Sequence, residues 1–447
     1  MSLIPDVIRE YHRILRTETR PARLLDAIYK DQVARKVVYA AKPIPTLLRP
    51  HFIDVAQMAL VRRTVEVITR CLERIVDLYC REPVVRRRIP FPKQMVPYLC
   101  QESGLSRNVI IARLDAFLDG DQLHYIEFNT DSPASIIWNE VHQDVFEGIA
   151  PMVDLGERFE ITRERQARAF FEAMMATWED FGLREAPRML VVDWDHVQTR
   201  PEFELTCEYF ERWGVPCAIA DPREVEFRDG ALWKGDFRAN FVNRRVILKE
   251  LVERRGDCIP ILDAARSGRV CFANPLRSKI AGNKGCMAFM TDPRNHRHFT
   301  AEERTVIKAH VPWTAILVHE PRDYKGTDRD PFEVAQENRE DMVVKPLNDY
   351  GGLGVMLGSE VSEADWEQVL GYSEAGGWCV QERVAIPESD FPVLTPDLTF
   401  EPRKINLNPF GLRGQYAGCL TRVSVSPVIN VTAGGGMVPT FTVHGRR

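Results

Sequence analysis

The chain of 447 residues lacks several features that would assign a protein to a class at once. It has no run of about 18 apolar residues, so no segment is predicted to span a membrane. Its first residues lack the basic and apolar parts of a secretory signal, and no C-x-x-C pair occurs among its ten cysteines. We therefore expect no zinc site, and we expect reduced thiols in a cytoplasmic protein.

An excess of positive charge is also missing. Lysine and arginine number 59 against 64 aspartate and glutamate residues, which gives a net charge of −5. This balance provides no electrostatic footprint for nucleic acid. The most basic stretch, residues 86–88, could contact phosphate but is more typical of a solvated helix end. We expect neither a nucleic-acid partner nor a membrane partner.

Periodicity divides the chain into four segments. Residues 1–95 are predicted to be helical and amphipathic, and residues 96–185 to carry a hairpin followed by helices. Short apolar strands alternate with helices over residues 186–275, which predicts a small parallel α/β domain. Residues 276–447 contain further strands and glycine loops. We expect helices over 136–152 and 278–290, and an irregular connection over the proline-rich residues 386–415. The predicted fold class is α/β (α+β).

Residues 123–133 are the most informative stretch. They follow a hydrophobic segment and an Asp-Gly turn, an arrangement that favours a hairpin. Residues two apart on a strand share a face, so Glu127 and Asn129 project together, as Arg113 and Asp115 do on the preceding strand. Oxygen ligands beside an arginine suit a hard cation that carries a phosphate. The alternative is a hairpin with a solvated acidic face.

A second signal is the apolar strand that ends at Lys345 and continues into a turn with three glycines. Glycines let backbone N–H groups approach phosphate oxygens, and a lysine adds a point charge. The pattern is not the Walker motif, because no Gly-Lys-Ser/Thr follows. The alternative is a glycine-bulged hairpin. The turn contains Asp349, Gly351, Gly352 and Gly354.

Two weaker signals lie towards the C-terminal end. Residues 378–387 form a strand with a polar end at Gln381 and Glu382, followed by Val384, and such an edge can bind an adenine ring. Arg422 precedes a triple-glycine loop at 434–436 and could stabilise a transferring phosphoryl group. The alternatives are a core strand and a surface hairpin.

Together these motifs resemble the circularly permuted ATP-grasp family, which includes eukaryotic glutathione synthetase and the synthetase domain of glutathionylspermidine synthase. The R-x-D at 113–115 precedes E-x-N-x-D-x-P at 127–133. An apolar stretch at 280–284 ends in Lys284, and it is followed by the Lys-Pro glycine loop, the hinge at 380–384 and the late arginine at 420–422. Placing the metal ligands before the nucleotide lysines is the mark of permutation.

The chain departs from the family pattern at several positions. Asp349 stands where the family commonly has glutamate, Ser424 stands at the usual second basic position, and Arg383 replaces the hinge lysine. Residues 1–95 match neither named enzyme closely. These departures leave the acceptor substrate open and do not affect the expectation of a nucleotide site.

The resemblance implies an ATP-dependent carboxylate–amine ligase that forms an acylphosphate and releases ADP and phosphate, with ATP and Mg²⁺ as cofactors. Its expected substrates are a small-molecule or peptide carboxylate and an amine, and a homodimer is left open. The alternatives are an inactive ATP-binding scaffold and an ATP-grasp kinase. The residue roles implied are metal ligation by Asp115, Glu127, Asn129 and Asp349; nucleotide binding by Lys284, Lys345, Gly351, Gly352, Gly354, Gln381, Glu382 and Val384; catalysis by Arg113 and Arg422; and substrate binding by Arg244, Arg245, Ser132 and Ser135. The two neighbouring arginines could equally be a solvated strand end.

Overall fold

The chain contains both helices and strands. The computed structural model describes residues 2–349, 352–429 and 435–447. The longest helix begins at a capping box, in which Asp54 and Gln57 each bond the backbone N–H of the other at 2.9 and 3.1 Å. The α-helices are α1 (Ile4–Thr17), α2 (Pro21–Ala34), α3 (Val55–Arg81), α4 (Pro83–Arg88), α5 (Val96–Leu99), α6 (Ile136–Glu147), α7 (Ala150–Gly156), α8 (Gln166–Phe181), α9 (Arg200–Arg212), α10 (Leu248–Glu253), α11 (Arg255–Ser267), α12 (Gly285–Thr291), α13 (Ala301–His310), α14 (Pro331–Glu337) and α15 (Glu363–Ser373).

The strands are distributed over several sheets. They are β1 (Val38–Tyr39), β2 (Lys42–Pro43), β3 (His51–Asp54), β4 (Ile111–Asp119), β5 (Gln122–Asn129), β6 (Phe159–Thr162), β7 (Met189–Val192), β8 (Cys217–Ala220), β9 (Glu226–Arg228), β10 (Ala231–Lys234), β11 (Phe237–Ala239), β12 (Phe241–Arg244), β13 (Cys271–Ala273), β14 (Thr314–Ile316), β15 (Arg322–Tyr324), β16 (Thr327–Arg329), β17 (Met342–Pro346), β18 (Met356–Leu357), β19 (Trp378–Glu382), β20 (Glu388–Leu394), β21 (Leu398–Leu412), β22 (Gln415–Ser424) and β23 (Gly436–Arg446).

The largest sheet has the order β3-β23-β22-β21-β4-β5. In addition, β20 pairs with β21 and β6 pairs with β23. Its pairs are antiparallel except for β3 with β23. Helix α3 packs against this sheet and buries an apolar face that includes Val65, Ile68 and Leu72. The predicted hairpin, β4 with β5, is therefore held on one side by strands from the C-terminal part of the chain.

A second sheet consists of four parallel strands in the order β13-β12-β7-β8. All four residues of β7 and of β12 are buried, as expected for parallel strands with both faces covered. Helices α8, α9 and α11 contact its strands or the elements beside them. This is the parallel α/β unit that the sequence predicted.

A third sheet, in the order β14-β19-β17-β18, is antiparallel. It places β17, which carries Lys345, beside β19, which carries Gln381. Residues 1–95 are mostly helical, as predicted. Within the described residues, no helix is both long enough and apolar enough to cross a bilayer. The boundaries of the four predicted segments stay predictions.

The structure corrects three predictions about local elements. The proline-rich residues 386–415 are not irregular, because they form β20, β21 and the start of β22. Proline is accepted there because β20 is an edge strand paired with β21 alone, and because Pro409 lies beside a β-bulge. The predicted helix 278–290 is a 3₁₀ helix (Leu276–Gly282) followed by α12, and the predicted helix 136–152 is divided between α6 and α7 at Gly148.

Candidate functional site

The hairpin of β4 and β5 forms the polar face that the sequence predicted. Arg113 lies opposite Asn129, and Asp115 lies opposite Glu127. Arg113 Nε and Asn129 Nδ2 both donate to Asp115 Oδ1 at 3.1 Å. The hairpin therefore presents two carboxylates, an amide and a guanidinium together, and these groups are largely buried.

Two lysines from distant parts of the chain meet this face. Lys284 Nζ lies 2.9 Å from Glu127 Oε1 and 2.8 Å from the carbonyl oxygen of Asp349. Lys345 Nζ donates to Gln381 Oε1 at 2.6 Å and to the carbonyl oxygen of Ile126 at 3.2 Å. Both ammonium groups thus lie within the same cavity as the hairpin carboxylates.

Gln381 orients one of these lysines. Its Oε1 accepts the Lys345 bond, while its Nε2 donates to Thr314 Oγ1 at 2.9 Å. The side chain is buried and bonded at both ends. Gln381 therefore acts on the site through Lys345. Glu382 and Val384, at and just after the end of β19, also line the cavity and are the predicted hinge residues that remain open to a ligand.

The late arginine reaches the hairpin across the large sheet. Arg422 lies on β22, and its Nη1 donates to Asp115 Oδ2 at 3.3 Å. Burial, together with the charge of Arg113, lowers the pKa of Arg422 to about 10, against the opposing charges of Asp115 and Glu127. Arg422 thus remains a cation at neutral pH.

Opposite charges decide the protonation of the central groups. Burial raises the pKa of Glu127, but the charge and hydrogen bond of Lys284, with the charges of Lys345 and Arg113, outweigh burial and leave that pKa lowered. Burial lowers the pKa of Lys345 to about 8, against the opposing charge of Glu127. At neutral pH, Glu127 is therefore an anion and Lys345 is mostly a cation.

The cavity has a volume of about 750 Å³, and most of the predicted site residues line it. Gly354, Ser135 and Arg244 are not on its wall, and Gly351 lies outside the described residues. The predicted residues on its wall are Arg113, Asp115, Glu127, Asn129, Ser132, Arg245, Lys284, Lys345, Asp349, Gly352, Gln381, Glu382, Val384 and Arg422.

Arg244 and Arg245 have different environments. The Arg244 side chain is fully buried, and its Nη2 lies 2.7 Å from Asp131 Oδ1. Its remaining nitrogens donate to the carbonyl oxygens of Asn274 and Val246 at 3.1 and 2.7 Å. Arg245 follows the end of β12 and lines the cavity, with Nη1 donating to the carbonyl oxygen of Pro133 at 2.6 Å. The guanidinium available to a ligand belongs to Arg245.

Gly352, Leu353 and Val355, in the described part of the glycine loop, line one side of the cavity. Gly352 and Gly354 have φ of +75° and +70°, which favours glycine. A Cβ at Gly352 would approach Val428 Cγ1 to 2.8 Å. Asp349, at the start of the loop, is half-exposed, and its Oδ1 lies 3.5 Å from Lys249 Nζ. The loop conformation therefore depends on residues without side chains.

Asn274 joins the parallel sheet to the hairpin. Its Oδ1 accepts bonds from the backbone nitrogens of Ile110 and Ile111 at 2.9 and 2.8 Å. Its Nδ2 donates to the carbonyl oxygens of Ile111 and Thr130, both at 2.8 Å. One buried side chain thus holds the start and the end of the hairpin.

Sequence reasoning missed three residues of this region, namely Lys279, Asp193 and Asn274. Lys279 is buried on the cavity wall, 4.0 Å from Asp131 Oδ2, and burial lowers its pKa. Asp193 follows β7 as Arg245 follows β12, so both lie at the carboxyl edge of the parallel sheet, where ligands of open α/β sheets bind. That rule could have identified Asp193, and it applies equally to Asn274, which directly follows β13.

The donor set fits a hard cation only together with a ligand. Within the described residues, no group of three or more His, Cys, Asp or Glu side chains is arranged to hold a metal. Asp115 and Glu127 nevertheless lie on paired positions with the Asn129 amide beside them. These oxygens suit Mg²⁺, which commonly binds through one or two carboxylates together with substrate phosphates.

Comparison with known proteins identifies the fold. Residues 250–424 match the family model described as circularly permuted ATP-grasp type 2. The solved structure of a glutathione synthetase-like effector from Globodera pallida aligns with a TM-score of 0.60 at 13% identity, over 94% of this chain and 96% of that chain. The resemblance to the circularly permuted ATP-grasp family and the predicted fold class are confirmed.

The sequence relatives align with only part of this chain. An uncharacterized protein of Synechocystis is 28% identical over 196 residues, or 41% of this chain and 37% of that protein. A protein of Frankia alni, provisionally named a glutamate–cysteine ligase, is 28% identical over 250 residues, or 52% of this chain and 27% of that protein. These alignments span well under half of either relative.

Proposed function

We propose that the protein is an ATP-dependent carboxylate–amine ligase that forms an amide through an acylphosphate and releases ADP and phosphate. The observation that carries this proposal is the convergence of Lys284 and Lys345 on the hairpin carboxylates within one cavity. Buried cations beside oxygen donors suit a nucleotide triphosphate with its metal. The family match and the name of the Frankia relative support a ligase.

The nucleotide would lie between the third sheet and the hairpin. Lys284 and Lys345 would contact the phosphates, and the loop containing Gly351, Gly352 and Gly354 would cover the γ-phosphate. Glu382 and Val384 would hold the adenine ring where the ladder of β19 ends. Gln381 supports the site by keeping Lys345 in place.

The cation would be held by the hairpin and the loop. Asp115, Glu127 and Asn129, with Asp349 from the glycine loop, would ligate Mg²⁺, which would neutralise charge on the phosphates. The Lys249 contact to Asp349 is a half-exposed pair at 3.5 Å, so it would yield to a metal at little cost.

The reaction needs positioning and charge stabilisation more than a nucleophilic side chain. The γ-phosphoryl group would pass to the substrate carboxylate, and the amine would then attack the acylphosphate and expel phosphate. Arg113 and Arg422 lie on either side of Asp115 and would stabilise the charge of the transferring group. Arg245 and Ser132 would bind substrate, while Arg244 and Ser135, which lie off the cavity wall, would support the fold around it.

Small-molecule or peptide substrates fit the size of the cavity. A cytoplasmic location is also proposed, in line with ten cysteines that are all free thiols. The homodimer considered from the sequence remains a prediction.

An ADP-release screen with Mg²⁺-ATP tests the proposal. Amino acids, short peptides and polyamines would be supplied singly and in pairs, and products would be identified by mass spectrometry. We expect ADP, phosphate and an amide from at least one pair. A stable phosphorylated substrate would instead support a kinase, and tight ATP binding without ADP release for any pair would support a scaffold.

A further inference from the structure

Two thiols of the parallel α/β unit are in direct contact, away from the cavity. Cys207 lies on α9 and Cys217 is the first residue of β8, and their Sγ atoms are 2.7 Å apart. Neither residue lines the cavity. The pair therefore lies outside the proposed nucleotide and substrate sites.

The connection between the helix and the strand fixes this contact. Trp213 and Val215 donate backbone bonds to the carbonyl oxygen of Phe210 at 3.1 and 2.9 Å, and Gly214 between them has φ of +87°. The turn is short and hydrogen-bonded, so the end of α9 and the start of β8 are held side by side. The two sulfur atoms would meet without movement of the backbone elements.

The two thiols differ in access to solvent. Cys207 is partly exposed, whereas the side chain of Cys217 is buried. Burial raises the pKa of the Cys217 thiol, and its contact with Cys207 raises that pKa further. Because the thiolate is the reactive form of cysteine, an oxidant would meet Cys207 first.

We propose that Cys207 and Cys217 form a reversible disulfide when the protein meets a low-molecular-weight disulfide. The Cys207 thiolate attacks one sulfur of the small disulfide, which breaks the S–S bond and expels one small thiolate. Cys217 then loses its proton and attacks the Cys207 sulfur of the mixed disulfide, and the second small thiolate leaves. The two protein thiols are oxidised by two electrons, and the small disulfide is reduced to two thiols that take up the two protons.

This disulfide would restrain the helix next to the substrate end of the cavity. The cavity wall includes His196, Val197, Gln198 and Thr199, and α9 begins directly after them. Phe203 on α9 packs against Arg245, with the guanidinium carbon 5.4 Å from the ring centre. A bond between Cys207 and Cys217 would fix α9 to β8 behind these residues.

Peptide mapping tests the proposal on the full chain. Trypsin cleaves after Arg212 and leaves each cysteine in its own peptide, residues 189–212 and 213–223, because the Arg200–Pro201 bond resists cleavage. After treatment with oxidised glutathione, we expect a linked pair of these peptides that separates on addition of dithiothreitol. Titratable thiols in the denatured protein should fall by two from ten.

Matched variants separate the two steps. Cys217→Ser should accumulate glutathione on peptide 189–212, and Cys207→Ser should leave peptide 213–223 unmodified, with both variants unfolding at the wild-type temperature under reducing conditions. A wild-type protein that carries a lasting glutathione adduct on Cys207, or that links Cys207 to another cysteine, would overturn the proposal. So would unchanged thiol content after treatment.

Discussion

Lys284 Nζ and Glu127 Oε1 are 2.9 Å apart although the two residues are separated by 157 positions in the sequence. The pair joins the hairpin to the segment that leads into α12 and the third sheet. Lys284 also donates to the carbonyl oxygen of Asp349 at the start of the glycine loop. The hairpin and the proposed phosphate site therefore depend on each other.

Removal of the Lys345 ammonium should abolish turnover without unfolding the protein. Lys345→Ala deletes a cation from the proposed phosphate site, and losing one such contact costs on the order of a hundredfold or more in rate. Lys308→Ala, at an exposed position of α13, is the matched control. ADP release and thermal unfolding would be measured for both, and wild-type turnover in Lys345→Ala would contradict the assignment.

Neighbouring arginines should give opposite responses. Arg244→Met removes the nearer of the two cations beside buried Asp131 and leaves Lys279 at 4.0 Å. Breaking a buried pair costs about 3–5 kcal/mol of unfolding free energy. Arg245→Met should cost less stability, because Arg245 faces the cavity, but it should raise the KM for the carboxylate substrate. Denaturant titration and steady-state kinetics distinguish the two. The converse pattern would show that Arg244 is the substrate ligand.

Asp193 should make stability depend on pH. Burial raises the pKa of Asp193 from 3.8 to about 6, with Arg245 opposing this. Between these values the folded protein binds more protons than the unfolded chain, so this group's contribution to unfolding free energy falls as pH rises from about 4 to about 6. Asp193→Asn removes that loss, so the variant should gain about 3 kcal/mol relative to wild type across the window.

Denaturant titrations at several pH values would measure this difference. Asp195→Asn is the control, since the Asp195 side chain is half-exposed and pairs with Arg200. The Asp195→Asn variant shows the effect of removing a nearby half-exposed carboxylate under the same conditions. If the unfolding free energies of wild type and Asp193→Asn changed in parallel with pH, the fold would not raise the pKa of the Asp193 carboxyl.

A methyl group on the glycine loop should slow turnover. Gly352→Ala places a Cβ at positive φ and against Val428, a strain of about 1–3 kcal/mol. If the loop must cover the γ-phosphate, ADP release should fall on the order of tenfold. Gly371→Ala, in the exposed part of α15 with open space around it, should leave the rate unchanged. Equal rates of ADP release in the two variants would show that the glycine loop does not contribute to turnover.

The sequence predicted the elements whose signals are local. Alternation placed Glu127 and Asn129 on one face of β5, and the apolar run before Lys345 formed β17. The order of motifs predicted the permuted fold, which the comparisons confirm. Each of these inferences needed only the period of a strand or the order of segments.

Features that depend on distant partners could not be predicted. Arg244 and Arg245 are adjacent in sequence. Only the position of Asp131 in the fold shows which of the two guanidinium groups forms a buried ion pair. The prolines of residues 386–415 suggested a loop because the sequence does not show that β20 lies at an edge. Likewise, Arg86 and Arg88 are not simply a solvated helix end, since Arg86 bonds the carbonyl oxygens of Tyr79 and Cys80 and Arg88 bonds Asn295.

The Asn274 side chain connects the parallel sheet to the hairpin, so the two sides of the cavity are held by the same hydrogen bonds. Its amide bonds residues 110–111 and 130 from the end of β13, so a shift of the parallel sheet would pull on the hairpin that carries Asp115 and Glu127. A ligand that prefers one position of that sheet would then alter the affinity of the hairpin for the proposed metal–nucleotide complex. By linkage, the nucleotide would alter affinity at the carboxyl edge of the sheet by the same factor.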